Sequence, residues 1–248
     1  MPHMSRQQDE TMTAARLDDV DWAEVDFIDF GSGVGGSLQS AEKRTGGRGV
    51  GIEMRAAKVE IARREGRNVV LGDIFDLPTD ISVRYVTIDN VLEHLPSMDL
   101  VEAALHSATR IAREFVYVRH PSFEDEPYLN ALGLKQFWTD WRDHPSHITM
   151  ADFMRMAHKL GATSWSMHPV RAAADSSDST ILPIGAPTDQ HDYDAGRHGD
   201  KPDVVFPRPV YYAWDVLIQV QAGISVNLDY IDDPEVSDRR PRIVVSGT

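Results

Sequence analysis

The chain has 248 residues, of which 42% are hydrophobic and 26% are charged, a composition that excludes a wholly disordered or fibrous protein. Its net charge is −14, whereas proteins that bind nucleic acids or anionic membranes normally present basic surfaces, so neither partner is expected. The chain contains no cysteine, which excludes disulfides, thiolate metal sites and cysteine nucleophiles.

Short apolar runs alternate with longer helix-like segments over the first half of the chain. Strands are predicted at residues 25–30, 49–53, 69–73, 83–88 and 115–118, and helices at residues 37–45, 56–65 and 100–113. Strands separated by helices at this spacing predict βαβ crossovers, and hence a mostly parallel sheet with helices on both faces.

The pattern changes after the fifth predicted strand. A helix is predicted to begin after Thr149, because Asp152 three residues later can complete a capping box. Further strands are predicted at residues 163–170 and 210–220. The stretch 171–209 between them is rich in Asp, Gly, Ser and Pro, and we expect it to be a lid or partly disordered.

A single α/β domain over residues 22–222 fits these patterns better than two domains. Its parts are a cofactor-binding half at 22–120, an aromatic- and proline-rich insertion at 121–147 and the long loop at 171–209, with an N-terminal extension at 1–21 and a polar C-terminal tail at 223–248. No apolar run approaches the roughly 20 residues that span a bilayer, and the first residues lack the apolar core of a signal peptide. We therefore expect a cytoplasmic protein without a membrane partner.

A glycine-rich turn follows the first predicted strand. Gly31-x-Gly33-x-x-Gly36 lets backbone N–H groups approach a ligand at a helix N-terminus, and Glu53 lies 20 residues after Gly33, where an acid that binds ribose belongs. Taken alone, this motif is ambiguous between nicotinamide cofactors and S-adenosylmethionine.

Polar residues at three predicted strand ends distinguish between these two kinds of cofactor. Asp29 precedes the glycines, where a carboxylate would repel a pyrophosphate but could receive the ammonium group of an amino acid. Asp73 and Ile74 follow the third strand, as an acceptor for an adenine amino group and an apolar surface for its ring. Asp89 and Asn90 end the fourth strand, at the edge where open α/β sheets bind ligands.

These four motifs, in this order and at this spacing, resemble those of the class I S-adenosylmethionine-dependent methyltransferases over residues 22–120. The resemblance implies a Rossmann-like fold whose sheet ends with a sixth strand and a reversed seventh strand. It implies cofactor contacts from the methionine-binding loop (Asp29, Gly31, Ser32, Gly33, Gly35), the ribose ligand Glu53, the adenine neighbours Met54, Asp73 and Ile74, and the residues near the sulfonium, Asp89 and Asn90. S-Adenosylhomocysteine would be the product.

Methyl transfer to a hydroxyl or phenol is helped by a general base with a pKa near 7, usually histidine. The candidate catalytic residues are His120, which follows the fifth predicted strand, and His94, beside the fourth-strand motif. His144 and His147 have a spacing that suggests a metal pair, but no third ligand is evident nearby in sequence, so no metal site is predicted.

The aromatic residues of the insertion, from Phe123 to Trp141, are the best candidates for an acceptor site, with Arg119 and Arg142 nearby for an anionic group. A satellite core or an oligomer interface explains the same aromatics equally well.

The sequence therefore predicts a methyltransferase that acts on a small-molecule acceptor at oxygen or nitrogen. Three alternatives stay open: a nicotinamide-dependent oxidoreductase, a non-catalytic protein that binds S-adenosylmethionine, and a methyltransferase with a protein acceptor. The charge argues against an RNA acceptor.

Overall fold

The computed structural model describes residues 15–162, 164–221 and 245–247. The strands in these ranges are β1 (Phe27–Phe30), β2 (Gly49–Glu53), β3 (Val69–Leu71), β4 (Val83–Asp89), β5 (Ala112–Pro121), β6 (Leu134–Gln136), β7 (Ser164–Asp175), β8 (Ile181–Pro183), β9 (Val205–Gln219) and β10 (Val245–Gly247). The α-helices are α1 (Gly36–Thr45), α2 (Ala56–Arg64), α3 (Met98–Ile111), α4 (Glu126–Ala131), α5 (Met150–Lys159) and α6 (Ala195–His198). Short 3₁₀ helices lie at Leu17–Asp19, Trp22–Glu24, Leu92–His94 and Phe137–Asp140.

Eight strands form one mixed sheet in the order β10-β7-β9-β5-β4-β1-β2-β3. Strands β1 to β5 pair in parallel, and β9 runs antiparallel to both β5 and β7. The predicted mostly parallel sheet with a reversed seventh strand is thereby confirmed. The strand β10 adds an eighth member at the edge, pairing antiparallel with β7. The predicted tail contains this strand, and residues 223–244 and 248 of the tail lie outside the described residues.

Helices cover both faces of the sheet, as predicted. On one face, α1 and α2 bury Leu38, Ala41, Val59 and Ala62 against a stack of three rings, Phe27, Tyr85 and Phe115. On the other face, α3 and α5 contribute Val101, Leu105, Phe153 and Met156 to the larger core. The capping box predicted for α5 is present, because the Thr149 side chain accepts from the Asp152 N–H and the Asp152 carboxylate accepts from the Thr149 N–H.

The strands β7 and β9, at the antiparallel end of the sheet, extend beyond their predicted ranges. Strand β9 begins at Val205, five residues before the predicted start, and the prolines at 207 and 209 hid this part of the strand. Proline removes a ladder donor, so a sequence pattern with two prolines argues against a strand. Strand β7 likewise runs on to Asp175.

The middle of the long loop has its own structure. Its strand β8 pairs antiparallel with β6 of the insertion, and Leu129, Leu134, Ile181 and Phe206 share a small separate core. The insertion and the long loop therefore fold together beside the sheet, rather than forming an independent lid. In the described part of the chain, every helix is too short or too polar to cross a bilayer.

Candidate functional site

A cleft of about 270 Å³ opens at the carboxyl ends of β1 to β4. It is lined by Gly31, Ile52, Glu53, Met54, Arg55, Lys58, Gly72, Asp73, Ile74, Phe75, Asn90, Val91, His94, Leu95 and Asp143. Parallel strands bring their carboxyl ends to one edge, so residues from four separate motifs meet there. Seven of the predicted site residues line the cleft directly: Gly31, Glu53, Met54, Asp73, Ile74, Asn90 and His94.

The glycine loop takes a backbone path that favours glycine. Gly31, Gly33 and Gly35 have φ angles of +64°, +58° and +85°. A Cβ at Gly31 would lie 2.6 Å from a methyl of Val91, so a side chain there would force the loop away from the turn that follows β4. The glycines therefore keep the loop close to the cleft.

The carboxylate of Glu53 is fixed by backbone donors. Its Oε2 accepts a hydrogen bond of 3.0 Å from the Gly33 N–H and its Oε1 one of 2.8 Å from the Arg55 N–H, in a side chain only 6% exposed. Each carboxylate oxygen can accept a further hydrogen bond. The arrangement holds both oxygens ready for a ligand diol.

Apolar side chains line the next part of the cleft. Met54 is 70% exposed and Phe75 is 40% exposed, and Ile74 lines the cleft with them. Asp73 caps the turn after β3 by accepting from the Phe75 N–H at 2.9 Å. A flat apolar ring with a polar edge fits this geometry.

Asp29 lies beneath the cleft instead of lining it. The side chain is completely buried and accepts hydrogen bonds from the Ser37 hydroxyl at 2.6 Å and the Thr87 hydroxyl at 2.7 Å. Burial raises its pKa to about 7, while these two hydrogen bonds oppose the rise. Ser32 is also buried, and its N–H donates to the Ile52 carbonyl at 3.1 Å.

The end of β4 carries the next predicted pair. Asn90 has a φ of +53° and donates from its amide to Asp89 at 2.8 Å. Burial raises the pKa of Asp89 to about 6, and the neighbouring Arg119 opposes the rise. Asn90 faces the cleft, so the strained turn presents an amide to a ligand.

The two predicted catalytic histidines lie in different surroundings. His94 is exposed on the cleft wall, with Nδ1 2.7 Å from the Asp143 carbonyl. His120 is only 1% exposed and packs against the rings of Phe123 and Phe153. The structure thus puts His94 in the cleft wall and His120 behind it.

Glu93 links these histidines and was missed by the sequence analysis. Its Oε2 lies 3.4 Å from His120 Nδ1, and both side chains are 1% exposed. His144 completes the group: its ring lies 4.8 Å from that of His94, and burial lowers its pKa, opposed by a hydrogen bond to the Trp138 carbonyl. The sequence carried one signal, since Glu93 stands next to the predicted His94.

The two arginines nominated for an anionic acceptor group are paired elsewhere. Arg119 forms a two-pronged ion pair with buried Asp215, at 2.8 and 3.0 Å, and Arg142 pairs with Asp189 across an exposed surface. Most of the insertion's aromatics pack on one another and on the long loop. Trp138, for example, is 3% exposed and donates its indole N–H to the Ser122 carbonyl at 2.8 Å. This packing agrees with the alternative of a satellite core or an oligomer interface, and an acceptor role for these aromatics stays a prediction.

Solved structures share this architecture. An S-adenosylmethionine-dependent methyltransferase from Archaeoglobus fulgidus matches with a TM-score of 0.54 and 14% identity, over 78% of this chain and 85% of that chain. A possible histamine N-methyltransferase from Thermotoga maritima matches with a TM-score of 0.48 and 16% identity, over 80% and 83% of the two chains. Magnesium protoporphyrin IX methyltransferase from Synechocystis matches with a TM-score of 0.45 and 13% identity, over 82% and 73%.

The first of these matches shows a shared fold, which agrees with the fold implied by the sequence motifs. No protein-family model matches the chain, and no curated protein matches it.

Proposed function

We propose that the protein is an S-adenosylmethionine-dependent methyltransferase that acts on a small-molecule acceptor. The observation that carries the proposal is the cleft itself. A carboxylate held by two backbone N–H groups stands at the end of β2, and exposed apolar side chains flank the adjoining space at the end of β3. This hydrogen-bond acceptor and these apolar surfaces match a ribose diol joined to an adenine ring.

Glu53 would accept hydrogen bonds from the two ribose hydroxyls, and Met54 and Ile74 would contact the adenine ring, whose amino group would donate to Asp73. The methionine part would lie along Gly31, Gly33 and Gly35, toward Asn90. When bound, S-adenosylmethionine supplies a methyl group activated by a sulfonium, and S-adenosylhomocysteine is left after transfer.

Asp29 would act on the methionine end by charge and not by direct contact. Its side chain is completely buried, accepts hydrogen bonds from Ser37 and Thr87, and does not line the cleft. A bound ammonium group nearby would favour the ionised carboxylate and lower its raised pKa. Cofactor binding would then release a proton near neutral pH.

The protein's main contribution to the chemistry is alignment. A nucleophilic oxygen or nitrogen of the acceptor forms a bond to the methyl carbon, the carbon–sulfur bond breaks with its electron pair on sulfur, and the acceptor proton passes to a base. Holding the reacting atoms in line at about 3 Å removes several kcal/mol from the barrier. His94 and His120 stay our predicted bases, and His120 would act only through Glu93.

The alternatives differ in what they bind. A nicotinamide-dependent oxidoreductase would use the same glycine loop, but Asp29 beneath it disfavours a pyrophosphate. A non-catalytic protein would bind S-adenosylmethionine without turnover, and a protein acceptor would need a surface beyond the cleft. The charge of −14 and the absence of a membrane-spanning helix in the described ranges agree with a small-molecule acceptor and a cytoplasmic location, which stay proposals.

Thermal unfolding tests the cofactor assignment, with S-adenosylhomocysteine, S-adenosylmethionine and NAD added in parallel. A ligand at 100 times its dissociation constant stabilises the fold by about 2.7 kcal/mol, which for a chain of this size raises Tm by roughly 5–10 °C. We expect a shift with both sulfur ligands and none with NAD. A shift with NAD alone would show that the assignment is wrong.

A further inference from the structure

A histidine–glutamate cluster lies where the cleft meets the insertion. Glu93, His94 and His144 each offer one atom that can bind a metal ion, and these atoms all lie within 4.8 Å of one another. Glu93 and His144 are buried, while His94 is exposed in the cleft wall. Two imidazoles and one carboxylate are a donor set typical of zinc and of other first-row transition metals.

We propose that Glu93, His94 and His144 bind a divalent transition-metal ion beside the site of methyl transfer. The three residues come from two distant segments of the chain. Contacts from His94 Nδ1 to the Asp143 carbonyl (2.7 Å) and from the Ser146 hydroxyl to the Leu95 carbonyl (2.6 Å) hold those segments together.

The backbone contacts of both histidines favour metal binding. Nδ1 of His94 lies 2.7 Å from the Asp143 carbonyl, and Nδ1 of His144 lies 3.0 Å from the Trp138 carbonyl. A carbonyl oxygen only accepts hydrogen bonds, so each Nδ1 must carry the proton. The lone pair of each ring is then on Nε2. Metal-binding histidines commonly donate their other ring N–H to a carbonyl in this way.

Buried atoms without hydrogen-bond partners supply the second, independent observation. Glu93 Oε2 and both ring nitrogens of His120 have no hydrogen-bond partner among the described residues, although both side chains are 1% exposed. An unsatisfied buried carboxylate oxygen is strongly disfavoured. A cation bound by Glu93 would remove that penalty, and His120, with Nδ1 3.4 Å from the same oxygen, would orient the carboxylate.

Ion binding requires the cluster to contract. Ligand atoms held at about 2.0–2.1 Å from one tetrahedral zinc-like ion are about 3.4 Å apart, against the 4.8 Å span of the cluster. Rotation of the exposed His94 side chain would bring its ring nitrogen toward Glu93 and His144. Three protein ligands leave at least one coordination position open, and His94 lines the cleft.

The open position defines the acceptor class, an inference that rests on the proposed function. A hydroxyl oxygen bound to the ion would have a lowered pKa and would lose its proton to water at neutral pH. This route replaces His94 as the general base, because its Nε2 lone pair would be bound to the ion. The alkoxide or phenolate then forms the bond to the methyl carbon as the carbon–sulfur bond breaks, with its electron pair left on sulfur. We therefore infer O-methylation of a hydroxyl-bearing small molecule.

Cobalt binding tests the ion site without any need for the acceptor. Tag-free protein is dialysed against EDTA and then buffer, titrated with CoCl₂ and followed by visible ligand-field absorption. We expect one Co²⁺ per chain, and His94→Ala should weaken binding at least 10–100-fold, the loss expected even for an outer-shell partner of a ligand. His94 is exposed, so the fold should survive; His158→Ala, an exposed histidine on α5, is the control and should bind as the parent does.

Parallel S-adenosylhomocysteine binding separates the two proposals. If the protein takes up no Co²⁺, or if His94→Ala binds it as tightly as the parent, the ion site is wrong even when S-adenosylhomocysteine still raises Tm. If Co²⁺ binds through His94 while S-adenosylhomocysteine has no effect on Tm, the ion site stands, and the cofactor assignment and the acceptor class that rests on it fail.

Discussion

The half of the sheet formed by β1 to β4 and the region formed by the insertion and the long loop are built on different principles. In the first, each site residue lies at or just after the end of its own strand, as Glu53 ends β2 and Asn90 follows β4. In the second, the important contacts join segments far apart in sequence: β6 pairs with β8, and the Trp141 indole N–H donates to the Gln190 carbonyl at 3.1 Å. The cleft lies at the junction, with a proposed cofactor side formed by residues close to their own strands and a proposed acceptor side formed by tertiary contacts.

The largest expected effect is a loss of stability caused by a substitution in the insertion, with little change in cofactor binding. Trp138→Ala removes a buried indole that packs on Phe137 and Tyr212 and donates to Ser122. Large-to-small substitutions of this type destabilise by about 3–5 kcal/mol, which chemical denaturation would measure. The affinity for S-adenosylhomocysteine should stay within about threefold of the parent's, because neither Trp138 nor the residues it contacts line the cleft.

Trp138→Phe is the matched control, since it keeps an aromatic ring and should lose about half as much stability. A tenfold or greater loss of S-adenosylhomocysteine affinity in Trp138→Ala would contradict the separation and show that the packing around Trp138 supports the proposed cofactor side.

The second prediction concerns the pH dependence of stability through Asp29. Its pKa is raised from 3.8 to about 7 in the folded protein, so between these values the unfolded chain loses the proton first. The free energy of unfolding then falls as pH rises, by up to about 1.4 kcal/mol per pH unit from this group. Asp29→Asn removes that loss and keeps groups able to bond Thr87 and Ser37. Its stability relative to the parent should rise by a few kcal/mol from pH 4 to pH 7 and then level off.

Urea denaturation across this pH range measures the effect, with Asp203→Asn, the loss of an exposed carboxylate, as the control for net charge. A parent-minus-variant difference that is constant with pH would mean that Asp29 is ionised throughout.

The cofactor side could be predicted from sequence because its signals are local. The apolar runs set β1 to β4, parallel pairing brings their ends together, and the residues after each run, such as Glu53 and Asp73, are thereby placed in the cleft. The sequence does not show how deeply each of these residues is buried. Asp29 lies in the interior, where its carboxylate accepts hydrogen bonds from Ser37 of α1 and Thr87 of β4.

The acceptor side could not be predicted for a different physical reason. The partner of His144 proved to be the Glu93–His94 turn, about 50 residues earlier, and His147 instead lies 2.8 Å from Glu126. No periodicity encodes such a pairing, because it depends on how the insertion folds back over β4. The ion pair of Arg119 depends on the same kind of distant contact, because the buried Asp215 that binds it lies on the reversed strand β9.

The third prediction tests whether the acid at the end of β2 binds the ribose of the proposed cofactor. Glu53→Ala removes the proposed ribose acceptor and also the tether to the Gly33 N–H. Hydrogen bonds to a charged group are worth about 1.5–3 kcal/mol, so the Kd for S-adenosylhomocysteine should rise roughly 10- to 150-fold, as measured by calorimetry. Glu60→Ala, which removes an exposed acid from α2, should leave the Kd unchanged. An unchanged Kd in Glu53→Ala would rule out the ribose role.

The smallest expected effect concerns α5, a helix between the insertion and the long loop whose start was predicted from the sequence. Helix α5 begins at a capping box in which Thr149 and Asp152 satisfy each other's backbone N–H groups. Thr149→Ala should destabilise the fold by about 1 kcal/mol, whereas Thr149→Ser, which keeps the hydroxyl, should lose only a few tenths, both measured by urea denaturation. Phe153 on this helix packs against His120, so a frayed α5 would also loosen the cluster around Glu93. We therefore expect Thr149→Ala to weaken Co²⁺ binding slightly and to leave S-adenosylhomocysteine binding unchanged. Equal weakening of both would mean that the two sides of the cleft depend on each other's structure and are not built independently.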